Sequence, residues 1–288
     1  MKPVVSIIIP TYKRQESLHK LLRSLTTENG QYLEIIVVVQ GEKRNKLPRN
    51  VKVRYLKMPS MTHARNIGTG KARGKFILFL DDDVIVSKGL IKNHVKNFRD
   101  LMVAATCGRV ITPGQRLEPK YRKIGQVDLL GGVSGGFSST IRQEVNTVIG
   151  CNMCWRRDVY IALGGVDERF TGNALREETD LSLRAKTLGY KIIFEPKAVV
   201  EHHRTEIGGA RKSEGRIQWY YDLFSNETYF FLKHRMKVLL PIFWMTKIGW
   251  AIRCMFGFGR EVSTRSISTP FAGMVDGVRK YKTFLQNI

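Results

Sequence analysis

At 288 residues and 43% hydrophobic content, the chain is long enough for one large α/β domain, or a domain with an appendage, and too apolar to be disordered. Lys and Arg number 48 against 25 Asp and Glu, a net charge of +23, which favours a polyanionic partner such as anionic lipid, a phosphorylated substrate or nucleic acid. Four cysteines are too few for a disulfide framework in a chain of this length and fit a reducing compartment.

The opening "MKPVVSIIIP" runs straight into a strand pattern, with no signal-peptide signature, and Pro10 is expected to stop that strand. In "QESLHKLLRSLTT" (15–27), Leu18, Leu21, Leu22 and Leu25 recur at helical spacing. "EIIVVV" (34–39) and "VKVRYLKM" (51–58) predict strands two and three, "MTHARNIGTGKA" (61–72) a short helix, and "KFILFL" (75–80) strand four. Continuously apolar strands suit a parallel sheet covered on both faces. In such sheets ligands sit beyond the carboxyl ends of the strands.

Further on, "VAATCGRVIT" (103–112) predicts a strand, and the Gly-rich section ending in "LLGGVSGGFSS" (129–139) a mobile loop near a site. "TVIGCNMCWRRDVYIALGG" (147–165) predicts a strand and a short helix, "REETDLSLRAKTLGY" (176–190) an acid-started helix, and "KIIFEP" and "AVVEHH" two strands. Cys151 and Cys154 are expected as ordinary buried thiols, because positions three apart on a strand face opposite sides and no second ligand pair follows. After about residue 204 the composition shifts to Arg, Lys and large aromatics. No stretch reaches the ~20 apolar residues of a membrane span. The nearest, "VLLPIFWMTKIGWAI" (238–252), contains Pro241 and Lys247 and suits a helix lying on a membrane.

The strand at 75–80 ends in Asp81, Asp82 and Asp83. One carboxylate there would cap a helix. Three adjacent ones repel unless a cation sits among them, and a hard divalent ion, Mg²⁺ or Mn²⁺, takes carboxylate and phosphate oxygens. A second acidic group, Glu177, Glu178 and Asp180, occupies the first turn of its helix, where the helix dipole favours acids. Glu178 falls in line with Leu181, Ala185 and Leu188, the expected buried face, so it is expected to point into the fold. Asp180 and Arg184 are spaced to pair.

Four segments, "VSIIIPTYKR", "ARNIGTGKARGKFILFLDDDV", "GCNMCWRRDVYIALGGVDERF" and "REETDLSLRAKTLGYKI" followed by "HH", stand in one order over residues 4 to about 205. Together they resemble the family-2 nucleotide-sugar glycosyltransferases. The resemblance implies a GT-A fold, a Rossmann-like α/β architecture with a mixed, mostly parallel sheet and helices on both faces. It implies a catalytic domain over 1–213, followed by a helical basic and aromatic extension over 214–288. It also implies inverting transfer of a sugar from a nucleotide-diphosphate sugar, UDP-sugar ahead of GDP-sugar, to a hydroxyl of a glycan or lipid-linked acceptor.

By the same resemblance, Asp83 holds the divalent ion at the donor diphosphate, with His202 nearby, and Asp81 and Asp82 orient the ribose and base side. Pro10, Thr11 and Arg14 border the nucleotide, as do Arg65 and Asn66. The general base is Glu178, with Glu177 and Asp180 as the alternatives. Val39 stands where the family commonly has a base-binding acid; Gln40 or Glu42 is the expected substitute, so the nucleotide stays open, and a catalytically silent sugar-nucleotide-binding relative stays an alternative. A basic loop with Arg204, Arg211 and Lys212 is placed to close over a diphosphate. A nucleic-acid partner is not expected, since no recognised binding motif accompanies the charge. From Lys233 onward, cations and the aromatics Phe243, Trp244, Trp250 and Phe256 predict peripheral attachment to an anionic membrane surface at the cytoplasmic face.

Overall fold

The computed structural model describes residues 3–28, 33–41, 47–204, 215–234, 237–257 and 264–287. Strands and helices alternate in its first third: β1 (Val5–Thr11), α1 (Gln15–Leu25), β2 (Leu33–Gln40), β3 (Val51–Leu56), α2 (Met61–Lys71) and β4 (Phe76–Leu80). β1 lies between β2 and β4, with β3 outside β2, all parallel. The chain winds outward from β1 to β3 and then crosses back to start β4. The reversal opens a crevice at the carboxyl ends of β1 and β4.

Both faces of these strands are covered, which explains their unbroken apolar runs. Ile7, Ile9, Leu78 and Leu80 pack towards the four leucines of α1. Ile8, Ile77 and Phe79 pack on the opposite face with Ala64 of α2 and Trp155. Each fully buried leucine contributes roughly 2 kcal/mol.

The second half adds β5 (Val84–Val86), α3 (Leu90–Val95), β6 (Val103–Ile111), β7 (Gln143–Glu144), β8 (Asn152–Arg156), α4 (Arg157–Ala162), α5 (Glu177–Thr187) and β9 (Lys191–His202). β8 runs antiparallel between β4 and β6, β9 runs parallel to β6, and β5 pairs antiparallel with β9. The sheet order is β3-β2-β1-β4-β8-β6-β9-β5, with β7 also on β9.

Two sequence expectations change. Pro10 does not stop β1, which continues to Thr11. Pairing with β4 ends at Ile8–Phe79, so Pro10 lies beyond it, where a missing N–H is tolerated. "KIIFEP" and "AVVEHH" are one strand, β9, irregular around Pro196, where the register with β6 shifts between Gly108 and Arg109. The Gly-rich section is internally tied: Asp128 accepts from the N–H groups of Leu130 and Gly132, and Ser134 bonds back to Gln126.

Three helices follow: α6 (Gly215–His234), α7 (Leu240–Gly257) and α8 (Thr264–Leu285). Tyr229 and Phe230 of α6 pack with Phe170. Phe231 stacks on Phe243 at 4.0 Å, and Phe224 lies 5.1 Å from Trp250. The aromatics expected to face a membrane therefore turn inward, and Phe243 is only 1% exposed. The exposed side of α7 carries Ile242, Met245, Ile248 and Ile252 instead. The Phe256 side chain lies outside the described residues. Among those residues, no helix is long and apolar enough to cross a membrane.

Candidate active site

A cleft of about 380 Å³ opens at the carboxyl ends of β1, β2 and β4. One side is formed by Pro10, Tyr12, Arg14 and Gln40, and the floor by Asp81, Asp82 and Asp83. His202 and Arg204 border the triplet, and the segment from Gly172 to Leu175, with Glu177 and Glu178, forms the facing wall.

The triplet is tied down by cations. Arg14 Nη1 donates to Asp83 Oδ2 at 2.8 Å and to Asp82 Oδ1 at 3.2 Å. Burial pushes the Asp82 carboxyl up to about 7 against the pull of Arg14. β5 pairs Val84 with His202, which brings the imidazole Nε2 within 3.1 Å of Asp83 Oδ1. Asp81, Asp83 and His202 each present a ligand atom, all within 4.8 Å of one another. The buried Oδ1 of Asp81 makes no hydrogen bond among the described residues. Two carboxylates and an imidazole at this spacing fit one divalent cation.

Arg65 joins the floor to the facing wall. It is 4% exposed, pairs through Nη1 with Glu177, donates from Nη2 to the carbonyl of Gly150 at 3.1 Å, and lies 3.8 Å from Asp81. A Cβ at 150 would lie 2.8 Å from Arg65 Nη2, so a larger residue there would push the guanidinium aside. Glu177 is thus buried and paired. Glu178 is half-buried and lines the cleft, and its carboxylate has no hydrogen bond or ion pair among the described residues.

Asp180 takes another direction. Its two oxygens meet Arg184 at 2.8 Å, Lys233 at 2.7 Å and His234 at 2.7 Å, outside the cleft. Burial alone would raise its carboxyl, but His234, Arg184 and Lys233 hold it far below the usual range. Nor is Leu188 part of a buried face: it is 64% exposed, and the buried positions of α5 are Glu177, Thr179, Asp180, Leu181, Ser182 and Ala185. Glu178 therefore reaches the cleft from beside the packed face.

Asn66 is likewise outside the cleft. Its amide donates to the carbonyl of Val166 and to Glu168, and its oxygen accepts from Val166 N–H and Tyr160. Thr11 is buried at the end of β1, beside the lining. Val39 packs into the core, and it is Gln40 that reaches the cleft, its Oε1 accepting from Ser60 N–H at 2.7 Å. Glu42, Arg211 and Lys212 lie outside the described residues. Of the Gly-rich section, no residue lines the cleft.

A family model described as "Glycosyl transferase family 2" matches residues 6–164, more than half of the chain and the segment that builds β1, the triplet and Gly150. The chain belongs to glycosyl transferase family 2. Relatives include the pre-mycofactocin glycosyltransferase of Mycobacterium tuberculosis, 27% identical over 70% of this chain and 43% of that protein. Another is the succinoglycan biosynthesis protein ExoM of Rhizobium meliloti, 28% identical over 68% of this chain and 65% of that one. The match thus spans less than half of the first relative's length and under two thirds of the second's.

Among solved structures, GalNAc-T7 with UDP, GalNAc and Mn²⁺ aligns over the whole chain and 56% of its own length, with a TM-score of 0.62 at 16% identity. The mannosyltransferase PcManGT from Pyrobaculum calidifontis, in complex with GDP-Man and Mn²⁺, aligns over the whole chain and 79% of its own, with a TM-score of 0.55 at 15% identity. The fold is the GT-A fold expected from the sequence. Within this family-2 site, the sequence reading missed Tyr12, Gly150 and the segment 172–175. The signal for Gly150 was present in "IGCNMC", a glycine at the mouth of a buried strand.

Proposed function

We propose that the chain is an inverting, metal-dependent glycosyltransferase that moves a sugar from a nucleotide-diphosphate sugar to a hydroxyl of a glycan or lipid-linked acceptor. One observation carries this reading: a single cleft holds the Asp81–Asp83–His202 cluster on one side and, on the other, the carboxylate of Glu178, unpaired among the described residues, with Arg65 between them.

Asp81, Asp83 and His202 would hold Mg²⁺ or Mn²⁺, the imidazole favouring Mn²⁺. When bound, the ion supplies Lewis-acid stabilisation of the departing diphosphate. Arg14 lies against the floor carboxylates and offers further positive charge to a diphosphate there. Gln40 has its Oε1 fixed by Ser60, which leaves Nε2 as a donor for a base carbonyl, and uracil and guanine both offer one. A UDP-sugar is favoured, with a GDP-sugar second. Glu178 takes the acceptor hydroxyl proton. The acceptor oxygen forms its bond to the anomeric carbon as the bond to the diphosphate oxygen breaks, the electron pair leaving with the nucleotide. Displacement from the face opposite the leaving group inverts the anomeric centre without a covalent enzyme intermediate.

The same reading sets the enzyme on an anionic membrane at its cytoplasmic face. The exposed Ile242, Met245, Ile248 and Ile252 are spaced along one side of α7, Arg279 and Lys282 are exposed on α8, and the chain carries +23.

The test is release of nucleotide from UDP-glucose, UDP-N-acetylglucosamine and GDP-mannose with Mn²⁺, for the wild type and Asp83→Ala. Release that is lost in the variant and in excess chelator is expected. Full activity in either condition would sink the metal assignment, and no release or binding of any nucleotide by the wild type would sink the enzyme reading.

A further inference from the structure

The wall of the cleft that carries Glu178 is conformationally strained. Within five residues, Gly172 (φ 59°), Ala174 (φ 51°) and Arg176 (φ 78°) all occupy the left-handed region. Two of them carry a Cβ, and such residues persist only where their surroundings over-determine them. Arg176 directly precedes α5, so its backbone sets the direction in which Glu177 and Glu178 leave the loop.

Those surroundings are supplied by α6, and they are polar. Asn226, fully buried, donates from Nδ2 to the carbonyl of Thr171 at 2.9 Å and to Asn173 Oδ1 at 3.1 Å. Asn173 donates in turn to the carbonyl of Trp219 at 3.2 Å. Glu227 accepts from Arg176 Nη2 at 2.8 Å. One turn and a half later, Lys233 and His234 hold Asp180 on the first turn of α5. Lys280 of α8 backs the arrangement, reaching Thr171 Oγ1 and Ser225 Oγ at 2.8 Å each. Contacts from Trp219 to His234 thus follow the wall from its loop into the helix that bears Glu178, and none of them touches the metal-side carboxylates.

We propose that α6 is a splint for this wall, with Asn226 and Glu227 as positioning residues that hold Glu178 at the acceptor hydroxyl. The assignment of Glu178 rests on the glycosyltransferase reading; the splint itself does not. A displacement of about 1 Å at a reacting group is enough to cost on the order of 100-fold in rate. Loss of the splint therefore lowers turnover while leaving the nucleotide side intact.

The experiment compares full-length wild type, Asn226→Ala, Arg176→Ala and Arg176→Lys. Three quantities are read: hydrogen exchange over 171–178, Mn²⁺-dependent UDP and GDP affinity, and nucleotide release from the three sugar nucleotides above. In Asn226→Ala and Arg176→Ala, exchange over 171–178 is expected to rise about tenfold or more, nucleotide affinity to stay within about twofold, and release to fall at least about tenfold. Arg176→Lys keeps a cation for Glu227 and is expected to stay near wild type. Unchanged exchange over 171–178 in both alanine variants overturns the splint. So does exchange that rises equally over β1 and β4 with nucleotide affinity lost, because that is general destabilisation. If exchange rises as expected but even the wild type binds and releases no nucleotide, the splint stands and the glycosyltransferase reading falls. Arg176 is partly exposed, so its variants keep the test usable should Asn226→Ala fold poorly.

Discussion

Glu177 and Glu178 are neighbours in sequence and opposites in environment, so replacing each by glutamine should give opposite results. Glu178 is half-buried and unpaired among the described residues. Removing its charge should change stability by no more than about 0.5 kcal/mol, the scale of substitutions away from packed or paired sites. Its loss as a base should lower turnover by about 100-fold or more, close to 2.7 kcal/mol of barrier. Glu177 is 1% exposed and paired with Arg65, itself 4% exposed. Glu177→Gln leaves a buried guanidinium with the Gly150 carbonyl and a carboxylate 3.8 Å away as its remaining partners. Breaking a buried pair from one side costs about 3–5 kcal/mol; the remaining partners put this case near 3, a fall of roughly 5 °C in melting temperature for a chain of this length. The assays are thermal melting and nucleotide release in the presence of Mn²⁺. Glu178→Gln with near-wild-type release, alongside Glu177→Gln that is inactive with an unchanged melting temperature, would refute the argument and pass the base role to Glu177.

Three further outcomes are expected. Gly150→Ala puts a Cβ 2.8 Å from Arg65 Nη2; calorimetry should show Mn²⁺-dependent nucleotide affinity weakened about tenfold, a loss of close to 1.4 kcal/mol, and unchanged affinity would free Arg65 of any role at the donor. Glu34 is a buried residue of β2, where burial opposes its ionisation but Lys52, Ser6 and the Arg73 N–H hold its carboxyl at about 2. That is below its unfolded value, so its contribution of about 2–3 kcal/mol is complete above about pH 4.5 and lost as pH falls towards 2; urea midpoints measured across that window should fall less steeply in Glu34→Gln than in the wild type, in which Glu34 adds to the loss from Asp180. Finally, Ile242→Ser, Met245→Ser and Ile252→Ser together should abolish sedimentation with vesicles rich in anionic lipid while leaving nucleotide release intact; equal binding by wild type and triple variant would leave the outer face of α7 without a membrane role.

The parts of the site that lie consecutively in the chain were legible. Asp81 to Asp83 follow a fully buried strand, and the switch of direction around β1 puts them at the open edge. Gln40 and Arg14 were legible for the same reason, Gln40 at the end of its strand and Arg14 at the end of the turn after β1. The errors came from helices, where adjacent residues stand about 100° apart. Arg65 and Asn66 are adjacent on α2, yet one faces the cleft and the other bonds to the loop at Val166. Glu178 and Asp180 differ by two positions on α5, and one faces the cleft while the other meets α6. Which of two helical neighbours faces the site is decided by packing partners that a linear motif does not contain.

The splint was hidden for a related reason, although it left a trace. In "YYDLFSNETYFF" polar residues are interleaved with aromatic ones, and nothing in their order tells which are covered. Asp222, Ser225, Asn226, Glu227 and Thr228 are all buried. Burying such groups is costly unless each finds a partner. A helix that embeds five consecutive or near-consecutive polar residues among Phe and Tyr is therefore a helix with something polar to hold. In this fold the object it holds is a loop in which three of the five residues from 172 to 176, Gly172, Ala174 and Arg176, adopt positive φ, and which leads into α5 and the half-buried Glu178, across the cleft from Asp81, Asp83 and His202. The dependence of that wall on α6 also explains why removing the chain after Lys233 is a poor test of membrane attachment. Such a cut would delete His234, Lys247 and Lys280 from the contacts to Asp180, Glu227 and Thr171 as well as the exposed face of α7. Substitutions confined to Ile242, Met245 and Ile252 separate the two roles, because those side chains are exposed while the splint's are not.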